Sequence, residues 1–196
     1  MSAPRIACAV LAAGGSTRLG TPKQLLAIGE STLVRHAVAA ACATHCTHVA
    51  VVLGACAEDI SASLTDLRAT QLANPHWALG GLSSSLHVAV DWARRCDADA
   101  LLVSVCDQPH LNTAHLERLC GAYRGKPSKV ASGYANTRGV PALFGSDHFD
   151  ALLSLRGDRG AGRLLQTEDV TVITWPEGQI DLDTPDDVAR FTGHTP

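Results

Sequence analysis

The apolar run Ile6–Val10 passes without a spacer into Leu-Ala-Ala-Gly-Gly-Ser-Thr-Arg-Leu-Gly-Thr-Pro-Lys-Gln-Leu-Leu at residues 11–26. A buried strand that breaks into small residues carrying one Arg and one Lys is suited to holding a polyphosphate. Gly14, Gly15 and Gly20 let the backbone bend tightly and approach a ligand with no Cβ in the way. The N–H groups of this turn, those of Gly15 and Ser16 included, can then point at anionic oxygens. Arg18 can fork two phosphate oxygens, and Lys23 can add a point charge. An ordinary strand-to-helix turn accounts for the glycines but leaves the two cations beside them unexplained.

Two familiar phosphate loops do not fit. A Walker loop has Ser or Thr after its Lys, and Lys23 is followed by Gln24. The fingerprint Gly-x-Gly-x-x-Gly fails because Gly14 and Gly15 are adjacent.

Strand and helix patterns alternate along the chain. Ile6–Leu11, His48–Leu53 and Ala100–Val105 are short β-branched apolar runs, as buried parallel strands are. Helical patterning over Thr32–Ala43, Glu58–Leu67 and Ser84–Arg95 separates them. The alternation implies an α/β class with a mostly parallel sheet, whose ligands gather beyond the carboxyl ends of the strands. Lys129–Tyr134, Val140–Phe144 and Val170–Trp175 are strand-like but set among irregular pieces. The expectation is one domain with a nucleotide-binding half, about 1–110, an acceptor-binding half, about 111–196, and a frayed tail at Thr192–Pro196.

Composition agrees with a domain of this kind. Hydrophobic residues make up 46 % of the 196, enough for a sizeable core, and with only 4 % aromatics that core must be Ala, Val and Leu. A net charge of −3 gives no bulk attraction to nucleic acid or anionic lipid. No apolar stretch approaches the ~20 residues of a membrane span. Residues 1–5 lack the layout of a signal peptide, so a cytoplasmic protein with no nucleic-acid or membrane partner is expected. The seven Cys, odd in number and without a Cys-x-x-Cys pair, read as small buried hydrophobes in a reducing compartment. Cys42, His45 and Cys46 are near one another but lack the second ligand pair that zinc would need.

Leu101–Pro109 is a hydrophobic strand that ends abruptly in Asp107. Magnesium favours one or two carboxylates together with phosphate oxygens, which makes Asp107 the first candidate metal ligand. Around Ile180–Asp187, Thr184 as N-cap, Pro185, Asp186 and Asp187 form a good helix start and are accounted for by it. Asp181 and Asp183 alternate on an extended segment and point to opposite sides. Asp183, nearer the turn, is preferred as the second ligand, with Asp181 as the fallback.

Before the helix expected at Ser84, Gly80-Gly81 permits close backbone approach, and Ser83 or Ser84 can bind a nucleotide or cap the helix. Asn74 is a ligand contact or a turn residue. In the second half, Gly139 and Pro141 shape a strand facing an acceptor, while Asp158 contacts a ligand or caps a helix. Arg138, Arg159 and Arg163 are surface residues that can also meet an acidic acceptor. The nine His residues form no metal-binding motif.

The segment Leu11–Lys23 resembles the signature Leu-Ala-Ala-Gly-x-Ser-x-Arg-x-Gly-x-x-Lys of the molybdenum cofactor nucleotidyltransferases. Gly80–Leu86, Asp107-Gln108-Pro109, Gly139–Phe144 and Asp181–Pro185 follow in the family's order. The chain is similar to the molybdenum cofactor cytidylyltransferases. The resemblance implies a Rossmann-like, three-layer α/β/α domain of the glycosyltransferase-A-like kind, Mg²⁺, and transfer of CMP from CTP to the phosphate of molybdopterin. It would place Leu11, Ala12, Ala13 and Gly14 at the base, Arg18 and Lys23 at the triphosphate, and Asp107 and Asp183 at the metal. Related guanylyltransferases usually carry Gly where this chain has Ala13, so the resemblance favours CTP over GTP. Val140 stands where His is frequent, and Gly162 where Arg is. A GTP-using transferase with the same pterin, a cytidylyltransferase for a different phosphorylated acceptor, and a non-catalytic role delivering cofactor to a molybdenum hydroxylase client are the alternatives.

Overall fold

With no charged side chain from residue 6 to residue 12, the first strand has no face to offer water. In the computed structural model, which describes residues 3–158 and 160–193, β1 (Ile6–Ala12) is buried at every position. A short hairpin, β2 (Ala27–Ile28) and β3 (Ser31–Thr32), leads into α1 (Leu33–Cys42). Then come β4 (His48–Leu53), α2 (Ala57–Ala62), β5 (Thr70–Ala73), α3 (Trp77–Arg95), β6 (Ala100–Val105) and α4 (Thr113–Gly121). The hairpin β7 (Lys129–Tyr134) and β8 (Thr137–Gly145) follows, with α5 (Phe149–Leu153), β9 (Thr171–Thr174) and α6 (Pro185–Thr192) after it.

Among the described residues, seven strands form one sheet in the order β5-β4-β1-β6-β8-β7-β9. Its pairings are parallel except for those of β8, so the sheet is mostly parallel, as the alternation of elements implies. Successive side chains of β1 divide between two cores. Ile6, Cys8, Val10 and Ala12 pack with α1, α2 and α4, whereas Ala7, Ala9 and Leu11 pack with α3 and α5. That is a three-layer α/β/α arrangement. From β1 the chain runs outward to β4 and β5, then returns to β6 on β1's other side. Crossovers leaving to opposite sides open a crevice beyond the carboxyl ends of β1 and β6.

Several boundaries differ from the sequence reading for local reasons. The helix expected over Glu58–Leu67 stops at Ala62, because Ser63 turns its hydroxyl back to the Ile60 carbonyl (2.7 Å). The Arg35 guanidinium then holds the turn through the Ser63 carbonyl and the Asp66 carboxylate. The helix expected from Ser84 starts at Trp77 and is broken at Gly81, so the second glycine of the pair is a kink inside α3. The irregular second half contains a tight hairpin between β7 and β8. Ala135 and Asn136 both adopt positive φ (48° and 58°), the geometry such turns require, but Ala is not the residue that usually announces it. Thr192 closes α6, while residues 194–196 of the expected frayed tail lie outside the described residues.

Candidate active site

Gln24 organises the loop after β1. It is almost wholly buried, and its amide donates to the carbonyls of Ala12 (3.0 Å) and Gly14 (2.7 Å). The Ser16 hydroxyl donates to Gln24 Oε1 (3.2 Å) and accepts the Lys23 N–H (3.0 Å). The loop is therefore closed on itself, with Lys23 delivered to its inner side. Ser16 is used up in that closure, at a positive φ of 51°. Sequence reasoning used Gln24 only to exclude a Walker loop. No local signal marks it, because a glutamine after a lysine is ordinary in a loop until the Ala12 and Gly14 carbonyls turn toward it.

Lys23 Nζ donates to Asp107 Oδ2 (2.6 Å) and to Asp183 Oδ1 (2.7 Å). Burial works against the ammonium, but Asp107 and then Asp183 outweigh it and push the lysine well above its ordinary value. Arg18, largely exposed, donates to the other oxygen of Asp183 (2.7 Å). Burial raises the Asp183 carboxyl, yet Lys23 and Arg18 hold it below the ordinary carboxylate range. The two acids come together because Leu182 is buried and its N–H donates to the Asp107 carbonyl (3.0 Å). Asp183 is thus the acid that reaches Lys23. Asp181 is not remote, however. Burial first, then the charges of Asp183 and Asp107, push its carboxyl up. Asp187 belongs to the capping box with Thr184, as its spacing implied.

No group of three or more His, Cys, Asp or Glu among the described residues is arranged to hold a metal through protein ligands alone. Asp107 and Asp183 nevertheless aim at one cationic atom. Two carboxylates so placed suit a hard divalent cation that takes its remaining oxygens from phosphate and water.

Beside this cluster is a cleft of about 480 Å³ lined by Leu11, Ala12, Ala13, Gly14, Gly15, Lys23, Trp77, Gly81, Asp107 and Asp158, among others. Cys106 also lines it, but burial first and then the Asp107 charge push its thiol up to about 12, which makes it a poor nucleophile. Trp77 is a wall residue that sequence reasoning missed. A Cβ on Gly54 would sit 2.6 Å from Trp77 Cβ, and one on Gly15 would sit 3.0 Å from Trp77 Cζ3. Two absent side chains therefore admit the indole. Trp77, Leu79 and Leu82 are exposed large apolar residues on this rim.

Other expected residues serve the framework. Ser83 donates to the Gly80 carbonyl (3.1 Å) and Ser84 to that of Gly81 (2.8 Å). Gly80 and Ser83 lie in the kink rather than along the cleft wall. Asn74 is a turn residue, accepting from His76 N (3.0 Å) and donating to Ser84 and Ser85. Gly139 and Pro141 lie on β8 outside the cleft lining. Gly139 packs under Tyr134, and the Pro141 carbonyl accepts from Ser132 (2.6 Å). Gln108 ties that region to the Asp107 end through the carbonyls of Val140 (3.2 Å) and Gly178 (3.1 Å). Arg138 is bound to the carbonyls of Leu165 and Thr167, Arg163 lies in a separate cavity, and Arg159 is outside the described residues.

Asp158 reaches the cleft because its loop docks on the kink. At φ +60°, a Cβ on Gly81 would lie 2.5 Å from Asp158 Oδ1 and 2.6 Å from the Gly157 carbonyl carbon. Gly81→Ala should therefore destabilise the fold by at least the ~1–3 kcal/mol of a strained backbone, read as a lower denaturation midpoint. An unchanged midpoint would mean that the 157–158 loop is not packed in this way.

Residues 8–172 match the MobA-like NTP transferase domain. The chain is 28 % identical to the purine catabolism protein PucB of Bacillus subtilis over 202 residues, covering 95 % of this chain and 96 % of that one. It is 31 % identical to the nicotine blue oxidoreductase of Paenarthrobacter nicotinovorans over 168 residues, covering 81 % and 80 %. Among solved structures, Rv0371C of Mycobacterium tuberculosis in complex with manganese superposes with a TM-score of 0.79 at 25 % identity, covering 97 % of this chain and 100 % of that one.

Proposed function

The chain belongs to the MobA-like NTP transferase family and is a nucleotidyltransferase, and from that premise we propose that it transfers CMP from CTP to the phosphate of molybdopterin. The products are molybdopterin cytosine dinucleotide and pyrophosphate. The observation that carries the reading is the meeting of Lys23 with Asp107 and Asp183 beside a cleft walled by Leu11–Gly15.

An acceptor phosphate oxygen attacks the α-phosphorus of CTP in line, and the bond to the β-phosphate oxygen breaks. A phosphate monoester is largely anionic at neutral pH, so no general base is required. What the protein supplies is position and charge. Leu11–Gly15 hold the base and sugar, Trp77 closes the wall beside them, and Lys23 and Arg18 face the triphosphate. Asp107 and Asp183 would hold a divalent cation, Mg²⁺ in this reading, which neutralises phosphate charge; the manganese bound by the mycobacterial protein supports a divalent ion of this type. The second half, from about residue 111, presents Asp158 to the cleft and takes the acceptor.

Ala13 supports CTP, since it is the signature position at which guanylyltransferases usually carry Gly. The Ala13 methyl is buried at the cleft wall. Ala13→Gly should shift the CTP-to-GTP ratio of turnover efficiencies toward GTP. One methyl discriminates by only about 1–3 kcal/mol, so the expected change is partial.

The decisive experiment measures pyrophosphate release with each NTP, with and without molybdenum-loaded molybdopterin. Release with CTP only when the acceptor is present is the expected result. Preference for GTP would overturn the cytidylyl assignment, and turnover with another phosphorylated acceptor alone would overturn the pterin. Nucleotide binding without pyrophosphate release would favour cofactor delivery to a molybdenum hydroxylase. The name of the Paenarthrobacter relative raises a redox reaction, which would proceed without pyrophosphate release.

A further inference from the structure

At the end of the sheet away from the cleft, Cys46 Sγ and Cys120 Sγ lie 3.8 Å apart. Cys46 is in the turn between α1 and β4, and Cys120 is in the last turn of α4. The two pieces are already fastened together. Glu117, one helical turn before Cys120, accepts the His45 N–H at 2.6 Å and lies 2.9 Å from His45 Nδ1. Thr44 shapes the turn, its hydroxyl donating to the Ala41 carbonyl (2.6 Å) and accepting the Cys46 N–H (3.2 Å). Both residues are partly buried, whereas Cys8, in the same core, is fully buried.

We propose that Cys46 and Cys120 form a dithiol modification site for peroxides, closing to an intramolecular disulfide. The Cys46 thiolate attacks one peroxide oxygen, the O–O bond breaks, and hydroxide leaves to be protonated to water. Cys46 is now a sulfenic acid. The Cys120 sulfur attacks it, the S–O bond breaks, and the hydroxyl departs as a second water with the Cys120 proton. Two thiols and one hydrogen peroxide become one disulfide and two waters.

The two sulfurs differ in their surroundings. Hydrogen bonds from Cys120 and Cys8, opposed by burial and helped by Thr44 and the His45 imidazole, hold the Cys46 thiol below the ordinary range. The same contact, with burial, pushes Cys120 up. A thiolate is the attacking form, written here as Cys46; the two sulfurs are in mutual contact, so exchanging their roles gives the same disulfide. Bonding brings the sulfurs to about 2.05 Å, a closure within reach of side-chain rotation and a short turn.

The test treats the reduced protein with equimolar hydrogen peroxide, blocks free thiols with N-ethylmaleimide and digests with trypsin without reductant. Peptide 119–124 carries Cys120 alone, while peptide 36–68 carries Cys42, Cys46 and Cys56. The two should be recovered joined, two hydrogens lighter than their sum, from the wild type and from Cys42→Ala. The joined species should be absent from Cys46→Ala. Fragmentation of the wild-type product reads the same assignment with no variant, in case Cys46→Ala folds poorly. Recovery of 119–124 unlinked or as a sulfinic acid, or a bond from Cys120 to Cys42 or Cys56, would overturn the proposal.

Discussion

Lys23→Ala should lower nucleotide turnover by about 10²-fold or more, the usual cost of losing one preorganised charge contact to a transition state, or roughly 2.7 kcal/mol. Its effect on folding should be smaller and conditional. The ammonium lies within 2.6 and 2.7 Å of two carboxylates, with Asp181 close enough to feel both. Removing it leaves those acids facing one another without their cation. The melting temperature should fall in a chelating buffer and recover on adding Mg²⁺ or Mn²⁺, because a divalent ion can replace the lost charge. The pH dependence follows from Asp183. Its folded carboxyl is depressed, so the stabilisation is present above the ordinary carboxylate range of about 4 and is lost as pH falls through the folded value. Wild type should therefore lose stability on acidification more steeply than Lys23→Ala. Near-normal turnover in the variant would return Lys23 to a purely structural role.

Asp107→Asn should leave the fold intact and abolish metal-dependent turnover. Asp107 lies two residues past β6, between the buried Cys106 and Gln108, so the change removes charge rather than packing. A neutral amide is a poor ligand for a hard divalent ion. The same loss is expected for Asp183→Asn, which also frees Lys23 and Arg18 from their shared partner. Asp181→Asn should be milder in turnover. It should raise the melting temperature at neutral pH, because this carboxyl is held above its ordinary value and its charged form opposes folding there. The measurement is turnover against Mg²⁺ concentration for the three variants. Wild-type rates for Asp107→Asn at subsaturating Mg²⁺ would remove that residue from the metal site, and a reversed order of the other two would make Asp181 the ligand.

The residues of this site differ in how plainly their positions could be read. β1, β4 and β6 declare themselves through continuous apolar runs, and a glycine-rich break after the first of them marks where a ligand can approach the backbone. Asp107 is legible because a charge at the end of such a run has nowhere to go but the rim. Trp77 is not. Its place depends on Gly54 and Gly15 both lacking side chains, positions 39 residues apart in the chain (54 − 15) that meet only when β1 and β4 pair. Gln24 reads as an ordinary loop residue until the carbonyls of Ala12 and Gly14 turn toward it.

By itself the sequence determined the α/β class, the parallel strands around β1 and the chemistry available at their ends. These depend on hydrophobic period and residue type, which are local properties. The tertiary structure decided which charges meet. Arg18 and Lys23 read separately as phosphate contacts, yet both bind Asp183, 165 and 160 residues away. It also decided that α3 kinks at Gly81 with Gly80, Ser83 and Ser84 beside the break, where the 157–158 loop packs on Gly81 and the serine hydroxyls turn to nearby carbonyls. Ion pairing and close backbone approach act over a few ångströms of space, and separation along the chain does not specify that distance.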